Sequence, residues 1–394
     1  MANVDVFLQN RLSGHLAQQQ AKHVFSYAAN AKEAVSLTMP LRLESYSYSE
    51  LHPVFQMNLP EGTLRQTLER QFAKVYGSSD LTLLSLLGEH QVGRLRYRQA
   101  GLQLQQLATE PASFEQLLQQ DSPGLFRQLL QLFGARSGIA GVQPKVLVDV
   151  TDKAAVVTRH YIVKTWGPEF PQLACNEYFC LQLCKAAGLH TATSFLGENG
   201  HFLISERFDL DNNSNSLGTE DFAVLQGKTV RQKYDASLES CTHTIRQFVS
   251  GELQHQALSH FFLLTLLNVL VGNGDAHLKN FAVLYPDLQG FGSQATLPSV
   301  RLAPVYDVVS TVAYLPADQM ALSLTGSKRW PKADVLKQFG RQHCNLSPNM
   351  VGQLFDIAAA AVQQTLPLLD QLTEQHPAFR PVAEIIRGRL VQGF

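Results

Sequence analysis

Charge is scarce in this chain and almost balanced. Of 394 residues, 32 are Lys or Arg and 33 are Asp or Glu, which leaves a net charge of −1. That balance excludes a bulk nucleic-acid or membrane-surface binder, although a local patch stays open. Cysteine is thin as well: Cys175, Cys180, Cys184, Cys241 and Cys344 make an odd set with no CxxC pair. They read as buried thiols of a reducing compartment, not a disulfide framework. Cys180 and Cys184 share a helix face, but no His stands near them at ligand spacing, so packing is expected and not a metal site. Long apolar runs are missing. The strongest, Phe261 to Gly272, carries Thr265 and Asn268 and is too short to span a bilayer. The opening residues have no cationic start followed by an apolar block, so no signal peptide is expected. There is no internal repeat, and no GxSxG, HExxH or strand-borne GxGxxG. The class expected is a soluble cytoplasmic protein.

What is present is enough apolar material for large cores: 45% hydrophobic residues, in a length that suggests two or three units. Residues 1–75 read as a small mixed module. Val4 to Leu8, Phe25 to Tyr27 and Leu41 to Leu43 are expected strands, and Gly14 and Asn30 expected turns. Leu59-Pro60-Glu61-Gly62 is a turn. From Thr63, the spacing of Leu64, Leu68, Phe72 and Val75 predicts a helix. A hairpin is expected around Gly88 and Gly93, and Pro111 and Asp121 to Gly124 bracket helical pieces. From about 135 to 210 strands dominate, with one strong helix from Asn176 to Ala187. After about 240 the pattern is helical: Leu253 to Val271, Asn349 to Leu372 and Pro381 to Leu390. A β-rich lobe followed by a helical one implies a cleft between them.

Four constellations carry chemistry. The densest is Gly272-Asn273-Gly274-Asp275-Ala276-His277-Leu278-Lys279-Asn280, directly after the apolar helix. Polar groups at such a place must be paired or put to use. Asp275 and Asn280 stand five apart, the spacing of the protein-kinase catalytic loop, where an Asp accepts the substrate hydroxyl proton and an Asn holds magnesium. Two strands, Phe281 to Tyr285 and Val300 to Ala303, then lead to Tyr306-Asp307 and would return Asp307 beside the loop as a second metal ligand. The alternative is a solvated turn with an Asp cap and a structural His. Next, Ser137 to Lys145 (SGIAGVQPK) is a glycine-rich turn before a strand, where backbone N–H groups can approach phosphate oxygens; it also reads as a plain turn. Third, Tyr161-Ile162-Val163-Lys164 is a strand ending in a lysine, as in the kinase strand whose lysine binds phosphates. Glu177 on the following helix is placed to pair with Lys164. An edge lysine and a surface glutamate are the bland readings. Last, Glu206-Arg207-Phe208-Asp209 ends the final strand of the β-rich lobe, where either a hinge holding an adenine edge or a surface strand end would fall.

With these residues in hand, the chain resembles the HipA family of bacterial serine/threonine kinase toxins. The matching pieces, in the family's order, are Leu59 to Gly62, Gly141 to Lys145, Ile162 to Thr165, Asn176-Glu177, Glu206 to Asp209, Gly272 to Asn280 and Leu302 to Asp307. The resemblance implies an α+β, two-lobe protein-kinase-like fold, with a β-rich N-lobe, an extra N-terminal subdomain and an all-helical C-lobe. The units expected are 1–125, 126–210 and 211–394. It implies ATP with Mg2+ and phosphorylation of a protein hydroxyl, with an aminoacyl-tRNA synthetase as the kind of target. It also implies a helix-turn-helix antitoxin, and operator DNA only through that partner. Asp275 then matches the catalytic base, with His277 and Lys279 as active-site supports. Asn280 and Asp307 match the magnesium ligands, and Lys164 the phosphate-binding lysine. Ala140, Gly141, Val142, Gln143, Pro144 and Lys145 match the phosphate loop, Glu206, Arg207 and Phe208 the adenine hinge, and Tyr306 joins the nucleotide site. One departure is plain: many relatives carry an autophosphorylated serine three residues or one residue before the glycine matching Gly141, where this chain has Gly138 and Ala140, with Ser137 one place earlier. Two rival functions remain: a weak kinase-like co-repressor, and a metal-dependent phosphohydrolase or nuclease working through Asp275, His277 and Asp307.

Overall fold

The computed structural model describes residues 3–62, 65–66, 69, 79–88, 91–100, 112–133, 143–152, 157–293 and 298–393. The N-terminal module is an antiparallel sheet in the order β4-β3-β2-β1-β5. Its elements are β1 (Asn3–Leu8), β2 (Arg11–Gln19), β3 (Lys22–Tyr27), β4 (Tyr46–Tyr48), α1 (Pro53–Gln56), α2 (Asp80–Leu87) and β5 (Leu95–Gln99). Alternation sets the buried face: Val4, Val6 and Leu8 enter the core between less buried neighbours. Gln9 and Asn10 join β1 to β2 with φ of 43° and 67°, as a two-residue hairpin of this hand requires.

Several local expectations fail here. Gly14 is not a turn but lies inside β2, where a Cβ would stand 2.5 Å from the Ser26 carbonyl oxygen; the glycine lets β3 come close. Leu41 to Leu43 is not a strand: Leu43 is wholly exposed, and pairing begins only at Tyr46. Among the described residues, no hairpin forms around Gly88. The preceding residues are α2, capped by Ser79 accepting the Thr82 N–H, and its four buried leucines blur the helical period. The helix expected from Thr63 falls largely outside the described residues.

The β-rich lobe is the sheet β6-β7-β9-β8. It comprises α3 (Phe114–Gln119), α4 (Pro123–Phe133), β6 (Lys145–Asp152), β7 (Val157–Lys164), α5 (Leu173–Ala186), β8 (Ser194–Leu196) and β9 (Leu203–Glu206). Leu117 on α3 and Phe126, Leu129 and Phe133 on α4 share one core with Val146, Val148, Val163 and Ile204 of the sheet. The boundary expected at 125/126 therefore falls inside α4.

The helical lobe holds β10 (Gly218–Asp221), α6 (Phe222–Leu225), α7 (Leu238–Phe248), α8 (Gly251–Val271), β11 (Ala282–Tyr285), β12 (Arg301–Leu302), α9 (Ala333–Gln342), α10 (Pro348–Gln375) and α11 (Arg380–Gln392). It was expected to be all-helical, yet it carries a small sheet, β10-β11-β12. Gly218 makes the first pairing possible, since a Cβ there would overlap the Tyr285 ring. α8 is the axis of the lobe: from Phe261 to Val271 every residue is buried, as for a helix surrounded by protein. No helix among the described residues is long and apolar enough to cross a membrane. All five cysteines are buried, and burial raises the pKa of each thiol.

The module and the helical lobe are built into one another. Val224 of α6 is buried in the module's core, while Ala34 and Leu37 of the module belong to the main core. Between them lies Glu220 on β10, 1% exposed. It accepts from the Tyr285 hydroxyl at 2.5 Å, and from the Ser36 hydroxyl and the Leu37 N–H at 2.8 Å each. Burial pushes its carboxyl up to about 7, against the pull of those donors.

Glu220 therefore binds a proton in the folded protein at pH values where the unfolded chain has released it. Its contribution to stability is largest in acid and is lost as pH rises from about 4.5 through about 7. Relative to Glu220→Gln, wild type should lose on the order of 1–3 kcal/mol between pH 4.5 and pH 8. Urea unfolding of both proteins across that range checks this; a constant difference would contradict it.

Candidate active site

The sheet of the β-rich lobe, the helical lobe and one turn of the N-terminal module enclose a cleft of about 1050 Å³. Lys164, the last residue of β7, points into it. Its ammonium donates to Glu177 Oε1 at 2.5 Å and to Asp307 Oδ1 at 3.0 Å. Burial would depress the Lys164 pKa, but Asp307 and then Glu177 outweigh it and hold the amine protonated. Burial likewise opposes ionisation of Asp307, yet Lys164 and Lys145 keep its carboxyl far below the usual range. At Glu177, 1% exposed, burial prevails and the pKa is raised.

Each partner is placed by its own element. Glu177 sits on α5, next to Asn176, whose side-chain amide accepts the Ser310 N–H at 2.8 Å and donates to the Ser310 carbonyl at 3.0 Å. That pair fixes the segment just after Asp307. Asp307 has φ of 58°, a left-handed conformation costly for a residue with a Cβ, and such conformations cluster at functional sites. Register pairs Lys145 on β6 with Lys164 on β7. Lys145 is 7% exposed and has no ion pair among the described residues; burial, with Lys164 nearby, lowers its pKa.

The loop after α8 supplies the opposite wall. The helix stops at Gly272, with φ of 68°; a Cβ there would stand 2.5 Å from Val312. Asn280 closes a short 3-10 turn by accepting the His277 N–H at 3.0 Å and donates to Asp307 Oδ2 at 2.9 Å. Asp275 Oδ1 accepts the Tyr234 hydroxyl at 2.7 Å, and among the described residues no side chain donates to Oδ2. Burial raises the Asp275 pKa, despite Tyr234, with Asp307 adding to the rise. The His277 ring is neutral: burial and Lys233 depress it to about 3, and its buried Nδ1 has no partner among the described residues. Lys279 donates its ammonium to Glu61 and its carbonyl accepts the Tyr306 hydroxyl at 2.7 Å.

The expected set is thus largely brought together. Gln143 and Pro144 line the cleft, and Gln143 donates to the Thr165 carbonyl at 3.2 Å. Ala140, Gly141 and Val142 lie outside the described residues. Glu206 and Phe208 line the cleft, with Phe208 5.3 Å from the Tyr306 ring. Arg207 does not: its guanidinium is turned to Asp209, at 2.6 Å and 3.0 Å, and to the Gln91 carbonyl, so its side chain braces the strand end. Sequence reasoning missed Lys233 and Tyr234, which lie in an irregular stretch with no motif. It noticed Glu61 only within the Leu59–Gly62 turn that matches the HipA family, and gave it no role. Among the described residues, the cleft is lined by four lysines and eight carboxylates, and the lysines gathered around Glu61, Glu177 and Asp307 are the groups suited to phosphate oxygens.

Comparison with known proteins covers most of the chain. A model described as the HipA-like C-terminal domain matches residues 137–366, and one described as the HipA N-terminal domain matches residues 4–98. The chain is 31% identical over 386 residues to Y4mE, a kinase-named protein of Sinorhizobium fredii, covering 90% of this chain and 88% of that one. It is 24% identical over 260 residues to the serine/threonine-protein kinase toxin HipA of Shewanella oneidensis, covering 60% and 58%. A chain in the solved complex of the S. oneidensis MR-1 toxin–antitoxin system, HipA with HipB and its operator DNA, superposes with a TM-score of 0.71. The match covers 99% of this chain and 96% of that one at 18% identity, and so speaks for the fold.

The Lys164 cluster makes an asymmetric prediction. Lys164→Met leaves the buried Glu177 without its cation and should destabilise by about 3–5 kcal/mol. Glu177→Gln leaves Lys164 its other carboxylate, Asp307, and should cost only about 1–2 kcal/mol. Urea unfolding without nucleotide checks the order of the two losses.

Proposed function

The chain belongs to the HipA family and has its kinase-like two-lobe fold, and from that premise we propose that it transfers the γ-phosphoryl of ATP to a serine or threonine hydroxyl of a protein. The observation that carries the reading is Lys164 held between Glu177 and Asp307 opposite the Asp275–Asn280 loop. The donor chemistry fits magnesium. Asp307 offers carboxylate oxygens, and Asn280 Oδ1 spends one lone pair on the His277 N–H and keeps the other. Bound there, magnesium would supply charge compensation for the phosphates.

The chain's own residues do the rest. Lys164, with Lys145 behind it, neutralises phosphate oxygens, and Phe208 and Tyr306 flank the base end of the nucleotide. Asp275 accepts the proton of the substrate hydroxyl as that oxygen bonds to the γ-phosphorus and the bond to the β–γ bridging oxygen breaks, releasing ADP. A raised pKa keeps Asp275 the stronger base, and the Tyr234 hydroxyl fixes its orientation. Neutral His277 packs edge-on against the Tyr234 ring, 5.2 Å away, without adding charge. Phosphoryl transfer asks mainly for such positioning and charge compensation.

The reading extends to biology. The protein substrate is a translation component such as an aminoacyl-tRNA synthetase, the location cytoplasmic, and the neutralising partner a helix-turn-helix antitoxin that links the protein to operator DNA. The N-terminal unit, expected as residues 1–125, serves docking and regulation, with α3 and α4 counted in the β-rich lobe expected at 126–210, and 211–394 is the helical lobe. Because Gly138 and Ala140 offer no hydroxyl, control rests on partner binding and not on phosphorylation at those loop positions.

Asp275→Asn keeps the shape of the site but not its basicity. It should fold, bind Mg-ATP, and lose transfer by about 100- to 10,000-fold; undiminished transfer would remove the catalytic assignment. Asp307→Ala should abolish most of the magnesium dependence of nucleotide binding while leaving metal-free affinity nearly unchanged. Calorimetry with and without Mg2+ decides it, and equal magnesium dependence in both proteins would refute the metal assignment.

A further inference from the structure

Within Leu59-Pro60-Glu61-Gly62 three residues have distinct tasks. Leu59 is anchored in the module's core, and Gly62, with φ of 56°, lets the chain turn away. Glu61 between them is carried into the cleft. There its carboxylate pairs with the Lys279 ammonium and lies 3.8 Å from that of Lys233. The three side chains are nearly closed off, at 13%, 9% and 10% exposure. Neighbouring contacts fix the arrangement from both sides. Gln56 Oε1 on α1 accepts the Val230 N–H at 3.1 Å, just before Lys233, and the Lys279 carbonyl is held by Tyr306. Burial opposes ionisation of Glu61, but Lys279 and Lys233 outweigh it and keep the carboxyl charged.

We propose that Glu61 is a positioning residue of the active site, holding Lys279 and Lys233 side by side for the transferring phosphate, so that the N-terminal module completes the catalytic cleft. The inference rests on the kinase reading above. It has a parallel in the same molecule: Lys164 is held by Glu177 from another element as Lys279 is held by Glu61 from another module. Two ammonium groups sharing one carboxylate stay together only while that carboxylate is charged; a neutral amide would leave them to repel one another.

The charge argument separates binding from rate. Glu61→Gln removes a negative charge from a cleft that takes a polyanion, so nucleotide should bind as tightly as before or more tightly. With the lysines dispersed, transfer should slow. The experiment uses the full chain, with two readouts: calorimetric affinity for a non-hydrolysable ATP analogue with Mg2+, and the initial rate of label transfer from saturating γ-labelled ATP to cell-extract protein. The expected result for Glu61→Gln is undiminished affinity with a rate lowered about 10- to 100-fold, and partial recovery in Glu61→Asp. If Glu61→Gln fails to fold, Glu61→Asp carries the test, with a smaller fall in rate at unchanged affinity. A rate equal to or above wild type would make Glu61 a bystander or a brake and overturn the inference. So would rate and affinity falling together with the melting temperature. Wild type that transfers no label at all sinks the kinase reading itself, whereas active wild type beside an unimpaired Glu61→Gln sinks only this inference.

Discussion

One ammonium group, on Lys164, ties together three segments that are far apart in the chain. It ends β7, reaches Glu177 on α5 and crosses the cleft to Asp307 after β12. Taking such a lysine out of water costs several kcal/mol unless anionic partners meet it, and here two carboxylates do. The consequences spread outward. Asp307 can hold a left-handed backbone because Lys164, Asn280 and the Asn176–Ser310 amide pair surround it. Asn280 is in turn bound to the loop that carries Asp275 and His277. A single charge cluster therefore brings the two lobes into register and sets the cations of the cleft in place before any ligand arrives.

The N-terminal module is part of that arrangement, not an appendage. Its core admits Val224, the main core admits Ala34 and Leu37, and Glu220 receives donors from both sides of the joint. Shared cores transmit position well, because packed interiors yield little. A partner that grips the module would thereby act on a turn whose glutamate touches the Asp275–Asn280 loop.

Much of this was legible in the sequence because the site is made of local runs with strong physical signals. A polar stretch after an apolar helix and a strand ending in lysine were each visible within about ten residues, whereas the glycines of the expected phosphate loop fall outside the described residues. What could not be read depended on long-range placement. Lys233 and Tyr234 carry no spacing signal, since their partners Glu61 and Asp275 lie in other parts of the chain. Arg207 looked like a hinge residue because the strand end was right, but only the fold shows Asp209 and Gln91 claiming its guanidinium. In the module, Gly14 signals a turn by type, yet the close approach of β3 is what requires it. The small sheet of the helical lobe was half visible: β11 and β12 were expected, whereas β10 is a short polar strand that only pairing identifies.

The fate of the γ-phosphoryl group tests the account most directly. Purified protein would be incubated with γ-labelled ATP, Mg2+ and cell-extract protein, and the label followed by mass spectrometry and by phosphate release. The account predicts label on serine or threonine of one or a few proteins, in amounts that match the ADP formed. Label recovered only as inorganic phosphate, with no protein carrying it, would contradict a kinase and point to a phosphohydrolase.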